Sequence, residues 1–132
     1  MNKYKNLNKT TANYSPLTPL TLLQRSARVY PDKLAVIDDD INLSYRELYA
    51  RCRQMASALS RRGIETGDTV AILCPNSHEM LEAHYSVPLS GSVLNAINIR
   101  PDAGALSFIL AHAHARAPFY DPVRAALGRA AV

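Results

Sequence analysis

Residues 67–102 read GDTVAILCPNSHEMLEAHYSVPLSGSVLNAINIRPD, and the order of patterns in this stretch decides the fold class. Thr69–Leu73 is a short apolar run without polar alternation, which suits a parallel strand covered on both faces. Asn76-Ser77-His78-Glu79 has the form of a capping box and opens a helix through about Val87, where Pro88 stops it. Ser92–Ile97 is a second strand, and Asp102 caps a further helix through about Ala113. Arg116–Tyr120 supplies a third strand, whose Pro118 fits best at a sheet edge. Asp121-Pro122 then starts a short final helix. Strand, helix, strand, helix, strand with short joins predicts right-handed crossovers and a parallel sheet.

Upstream, Ser44-Tyr45-Arg46-Glu47 is a second capping box. The stripe Tyr45, Leu48, Cys52, Met55, Ala56, Leu59 gives the helix behind it one apolar face, and Gly63 is placed to end it in a left-handed conformation. Leu34–Ile37 and Ile41–Leu43 flank Asp38-Asp39-Asp40 and read as a β-hairpin with an acidic turn. Thr18-Pro19 starts an earlier helix, with a hydroxyl as N-cap and proline at the first helical position. The fold class is α/β: a small β-hairpin and a parallel β-α-β-α-β sheet in residues 13–132, behind a disordered basic leader, residues 1–12.

The 132 residues carry 15 Lys+Arg against 11 Asp+Glu, a net charge of +4 that is unevenly spread. Residues 1–33 hold six cations against Asp32, whereas in residues 34–132 nine arginines face ten carboxylates. Nucleic-acid binding needs clustered cations and stacking platforms, and neither is visible beyond residue 33. No apolar run reaches the length of a membrane span. Cys52 and Cys74 make no disulfide framework, and the leader lacks the apolar core of a signal peptide, so a reducing cytoplasm is expected.

The usual chemistries of a parallel sheet find no anchor. The first strand-to-helix turn, Cys74-Pro75-Asn76-Ser77, contains no glycine, where a dinucleotide or phosphate-binding fingerprint needs several. His78-Glu79 begins like a metalloprotease helix, but Glu82 stands where the second histidine belongs, and His112 and His114 point to different helix faces. Ser90-Gly91-Ser92 precedes a strand, whereas a nucleophile elbow follows one. Cys74, ahead of a helix N-terminus, is either a thiol of lowered pKa or a small buried residue. His84, beside Tyr85, is a candidate to line a ligand pocket, with a satisfied packing histidine as the alternative. Arg61-Arg62 reads as a solvated helix end.

Four segments, TPLTLLQRSARVYPD (18–32), LSYREL (43–48), GDTVAILCPN (67–76) and GSVLNAINIR (91–100), resemble in order and spacing the beginning of the AMP-forming acyl-CoA synthetases of the adenylate-forming superfamily. HYSVPLSGSVLN (84–95) is similar to the short- and medium-chain members. The resemblance implies a truncated N-terminal subdomain of that fold. It also implies a parent reaction in which a carboxylic acid is adenylated with ATP and Mg²⁺ and the acyl group passes to coenzyme A. The family's phosphate-handling loop and lysine, its nucleotide motifs, its Mg-associated glutamate and its C-terminal lysine lie beyond the matched region. No catalytic, cofactor-binding or metal residue is therefore carried over. Asn76 is implied as a helix cap and Gly67-Asp68 as a turn into a strand. The chain is expected to bind none of ATP, Mg²⁺ and CoA alone, and to be inactive in isolation. The alternatives are one half of a split synthetase whose partner is a complementary or full-length synthetase chain, or a stand-alone binding module. A leader-driven nucleic-acid or membrane-surface binder ranks last. A sheet ending here should leave an edge or face uncovered and be marginally stable or self-associating.

Overall fold

A computed structural model describes residues 8–122 and 125–131. The elements run α1 (Pro19–Val29), β1 (Leu34–Asp38), β2 (Ile41–Ser44), α2 (Tyr45–Arg61), β3 (Thr69–Leu73), α3 (His78–Leu89), β4 (Val93–Ile97), α4 (Ala103–His112), β5 (Ala115–Tyr120) and α5 (Ala125–Ala131). The β1–β2 hairpin is antiparallel, and β4-β3-β5 form a parallel sheet with β3 at its centre.

Local chemistry sets the helix starts. Thr18 caps α1 with its hydroxyl on the Thr21 N–H, and Pro19 occupies the first turn, where a missing N–H costs nothing. Ser44 and Glu47 close a reciprocal capping box at α2. Asp102 accepts from the Ala105 N–H at α4. Gly63, just past α2, has φ +76°, a conformation costly for any residue with a Cβ. Gly91 enters β4 at φ +84°, and a Cβ there would lie 2.7 Å from Thr66 Oγ1.

The centre of the sheet is covered on both faces, as its unalternating sequence requires. Val70 and Ile72 of β3, and Cys74 just beyond it, face α2 and α3, where they meet Leu59, Val87, Met80 and Ala83. Ala71 and Leu73 face α4, packing with Ile97, Leu106 and Leu110. A separate cluster of Leu23, Val36, Leu43, Leu48 and Cys52 joins α1 and the hairpin to α2. Arg51 Nε donates to Glu82 Oε1 at 2.5 Å and ties α2 to α3. Pro118 lies in β5, an outer strand, where a missing N–H is tolerated.

Three local expectations need correction. Pro88 does not stop α3, which continues to Leu89 with Ser90 as its C-cap. A proline in the last turn forfeits one backbone bond, and the Ser90 and Gly91 N–H groups still find the carbonyls of Ser86 and Pro88. The hairpin turn is Asp39-Asp40, with Asp39 at φ +46°, while Asp38 belongs to β1. The N-cap of α3 is Ser77 rather than Asn76, and it makes no side-chain cap bond, so the expected capping box does not form. Of the expected leader, Met1–Leu7 lies outside the described residues. Thr10–Tyr14 form a hydrogen-bonded turn in which the Tyr14 N–H meets the Thr10 carbonyl. The start of the last helix at residues 123–124 is likewise outside the described residues.

Candidate functional site

In a parallel sheet the chain leaves each strand at its C-terminal end. Ligands settle where neighbouring connections depart to opposite faces. Here β3 continues into α3 on one face and β4 into α4 on the other, so the switch point lies beyond Leu73 and Ile97. A crevice of about 590 Å³ opens there, lined by Cys74, Asn76, Met80, His84, Asn98 and Arg100 among others. The Asn98 carboxamide oxygen accepts from the Arg100 N–H at 3.1 Å and shapes the β4–α4 loop.

Around the flank of α3 lies a more apolar hollow of about 580 Å³ between α3, the start of α1 and β1. Val36, Ile37, Met80, Leu81 and Tyr85 form its walls. His84 lines both hollows. Its ring is exposed, and Nδ1 lies 2.8 Å from the Met80 carbonyl. A carbonyl only accepts, so Nδ1 carries the proton and Nε2 is the ring's available acceptor.

The α3 N-terminus between the two hollows is held from outside its own segment. Asp38 Oδ2 accepts from the His78 backbone N–H at 2.8 Å and lies 2.7 Å from His78 Nδ1. The backbone bond first, and then the ring bond, hold the Asp38 carboxyl below the usual aspartate range. Ser77 Oγ donates instead to Glu79 at 2.6 Å, which lowers the Glu79 pKa.

Asp38, His78 and Glu79 are the one group of three potential metal ligands within 4.8 Å among the described residues. Glu79 sits 3.1 Å from Nε2 while Asp38 sits at Nδ1, so the carboxylates flank opposite edges of one ring. As it stands both ring nitrogens face carboxylates, and the three side chains form a polar clamp at the start of α3. His112 stacks on Phe108 at 5.6 Å, and His114 lies in the turn beyond α4 at φ +49°.

Both cysteines are buried and free. Burial pushes the Cys52 thiol up to about 11 and raises that of Cys74, against the lowering its place before a helix allowed. Sequence reasoning reached His84 and Cys74 but passed over Asn98 and Arg100. Their position directly beyond a parallel strand was the signal that could have found them.

Comparison with known proteins places this geometry. The model of the family described as "AMP-binding enzyme" matches residues 23–131. An acetate–CoA ligase of Humulus lupulus is 44% identical over 115 residues, 87% of this chain and 20% of that protein. A peroxisomal acetate/butyrate–CoA ligase of Arabidopsis thaliana is 45% identical over the same shares. Among solved structures, a putative long-chain-fatty-acid CoA ligase of Rhodopseudomonas palustris superposes with a TM-score of 0.82 at 31% identity, over 87% of this chain and 29% of that one. The chain thus spans about a fifth of the length of the curated relatives it matches.

Proposed function

Because this chain belongs to the AMP-binding enzyme family, we propose that it forms the N-terminal scaffold of an acid–CoA ligase. Such an enzyme activates a small carboxylic acid with ATP and Mg²⁺ and transfers the acyl group to coenzyme A. The acid class follows the acetate and butyrate named for two of its relatives.

The observation that carries the division of labour is the state of the α3 N-terminus. In a parallel α/β sheet this is the natural cradle for a nucleotide phosphate, because unpaired amides and the helix dipole both favour an anion. Here the Asp38 carboxylate already accepts from the His78 N–H, and the turn Cys74–Ser77 has no glycine to let a phosphate approach. A second anion would meet that carboxylate at close range. The residues present therefore do not fit the phosphates of ATP, and no step of the reaction is assigned to them. Phosphoryl chemistry needs preorganised cations, amides or metal at the transferring group. Those groups come from further segments or from a complementary synthetase chain, and this chain alone is inactive. We place the protein in a reducing cytoplasm, a reading supported by two buried thiols that form no disulfide. Among the described residues no helix is long and apolar enough to cross a membrane.

A chimera tests the assignment. Residues 13–131 replace the matching segment of the Humulus acetate–CoA ligase, and acetyl-CoA formation is assayed. Restored acetate-dependent turnover is expected, whereas a folded chimera without turnover would overturn the reading.

A further inference from the structure

Along the sequence His78-Glu79 lacks the second histidine of a metal-binding helix, because Glu82 holds that position. The fold supplies a third group instead: Asp38, the last residue of β1, reaches the His78 ring from forty residues away. The hydrogen bonding then leaves one contact without a proton. A carboxylate only accepts, so the 2.7 Å contact with Asp38 puts a proton on Nδ1 and leaves Nε2 with its lone pair. Nε2 faces Glu79 Oε1, a second acceptor, at 3.1 Å. The other Glu79 oxygen accepts from Ser77 at 2.6 Å, and that bond holds the carboxyl below the usual glutamate range. Two lone pairs facing each other at this range require something positive between them, either a second ring proton or a metal ion. The separation fits an ion: bonds of about 2.0–2.2 Å meeting at roughly 90–110° set nitrogen and oxygen about 2.9–3.4 Å apart.

We propose that this cluster binds one divalent transition ion of the Zn²⁺ type, ligated by His78 Nε2 and Glu79 Oε1, with Asp38 orienting the ring and water completing the shell. A ligating histidine ordinarily donates its other ring N–H to a carboxylate, and Asp38 stands in that place. Two carboxylates and a neutral ring sum to the charge that a divalent ion cancels. Arg51, whose charge reaches Glu79, is held on Glu82. The His78 side chain is 14% exposed and that of Glu79 56%, so the ring is fixed while the ion enters from solvent. Imidazole beside a carboxylate suits Zn²⁺, Ni²⁺ or Cu²⁺, whereas Mg²⁺ and Ca²⁺ take oxygen ligands.

The test is calorimetric titration of the metal-free 132-residue chain with Zn²⁺ at neutral pH, with NMR of the histidine ring nitrogens and each variant's fold checked by circular dichroism. One ion per chain is expected, with the Nε2 signal of His78 shifting while Nδ1 keeps its proton. Glu79→Gln removes a ligand, and Asp38→Asn removes the charge behind the ring while keeping an acceptor for it; each should weaken binding by about tenfold or more. His84→Ala and His112→Ala should leave it unchanged, and excess Mg²⁺ should not compete. A folded chain that takes up no Zn²⁺ at millimolar concentration overturns the proposal and assigns the contact to a second ring proton. Zn²⁺ uptake that survives Glu79→Gln undiminished, or that shifts another histidine and not His78, overturns it as well. None of these results bears on acetyl-CoA formation by the chimera, so the two readings fail separately.

Discussion

Asp38, the last residue of β1, accepts hydrogen bonds from both the backbone N–H and the ring of His78, forty residues later, and so caps α3 in place of Ser77. One carboxylate fixes the hairpin to the helix that separates the two hollows, and it occupies the spot an incoming anion would otherwise use.

Removing that cap should be felt, while removing the nominal one should not. Asp38→Ala is expected to lower the melting temperature clearly more than Ser77→Ala. The pH dependence follows from the lowered Asp38 pKa. The stability it contributes is fully present above the unfolded aspartate value of about 4 and is lost as pH falls through the lower folded value. Urea titrations between neutral and strongly acidic pH should show a smaller acid loss in Asp38→Asn than in the parent. An equal loss in both would remove Asp38 from the acid response.

The Arg51–Glu82 pair should break asymmetrically. The Glu82 side chain is 8% exposed and that of Arg51 45%. Truncating Arg51 strands a buried carboxylate, whereas truncating Glu82 leaves a guanidinium that reaches water. Discounted for the solvent that reaches Arg51, Arg51→Met should cost about 1–2 kcal/mol and Glu82→Gln less. Chemical denaturation of both single variants and the double variant measures the difference directly.

The thiols should be silent. With Cys52 raised to about 11 and Cys74 raised by burial, an aromatic disulfide reagent at pH 8 should label neither in the folded chain and both in guanidinium. Rapid native labelling of Cys74 would restore the reactive reading that its sequence position allowed.

The features legible in the sequence were those set within a few residues. The Ser44–Glu47 box, the Thr18-Pro19 start, the Asp102 cap and the β3 boundaries all depend on neighbours one to four residues away. Pro118 at an edge was legible because a missing N–H excludes a central strand. The α3 cap was not legible, because Ser77 loses its role to a carboxylate that only the tertiary fold brings near. Pro88 misled for a similar reason: its cost depends on how close the helix end already is. For the site, His84 was found as a residue type, whereas Asn98 and Arg100 required knowing that β3 and β4 are adjacent and wound to opposite faces.

The central claim is that this chain supplies framework and lacks the groups that handle phosphate. ATP–pyrophosphate exchange by the purified 132-residue chain, with acetate or butyrate and Mg²⁺, tests it most directly. No acid-dependent exchange above the protein-free blank is predicted. Exchange that depends on the acid and follows the chain through purification would contradict the account, because residues here would then be stabilising the phosphoryl group after all.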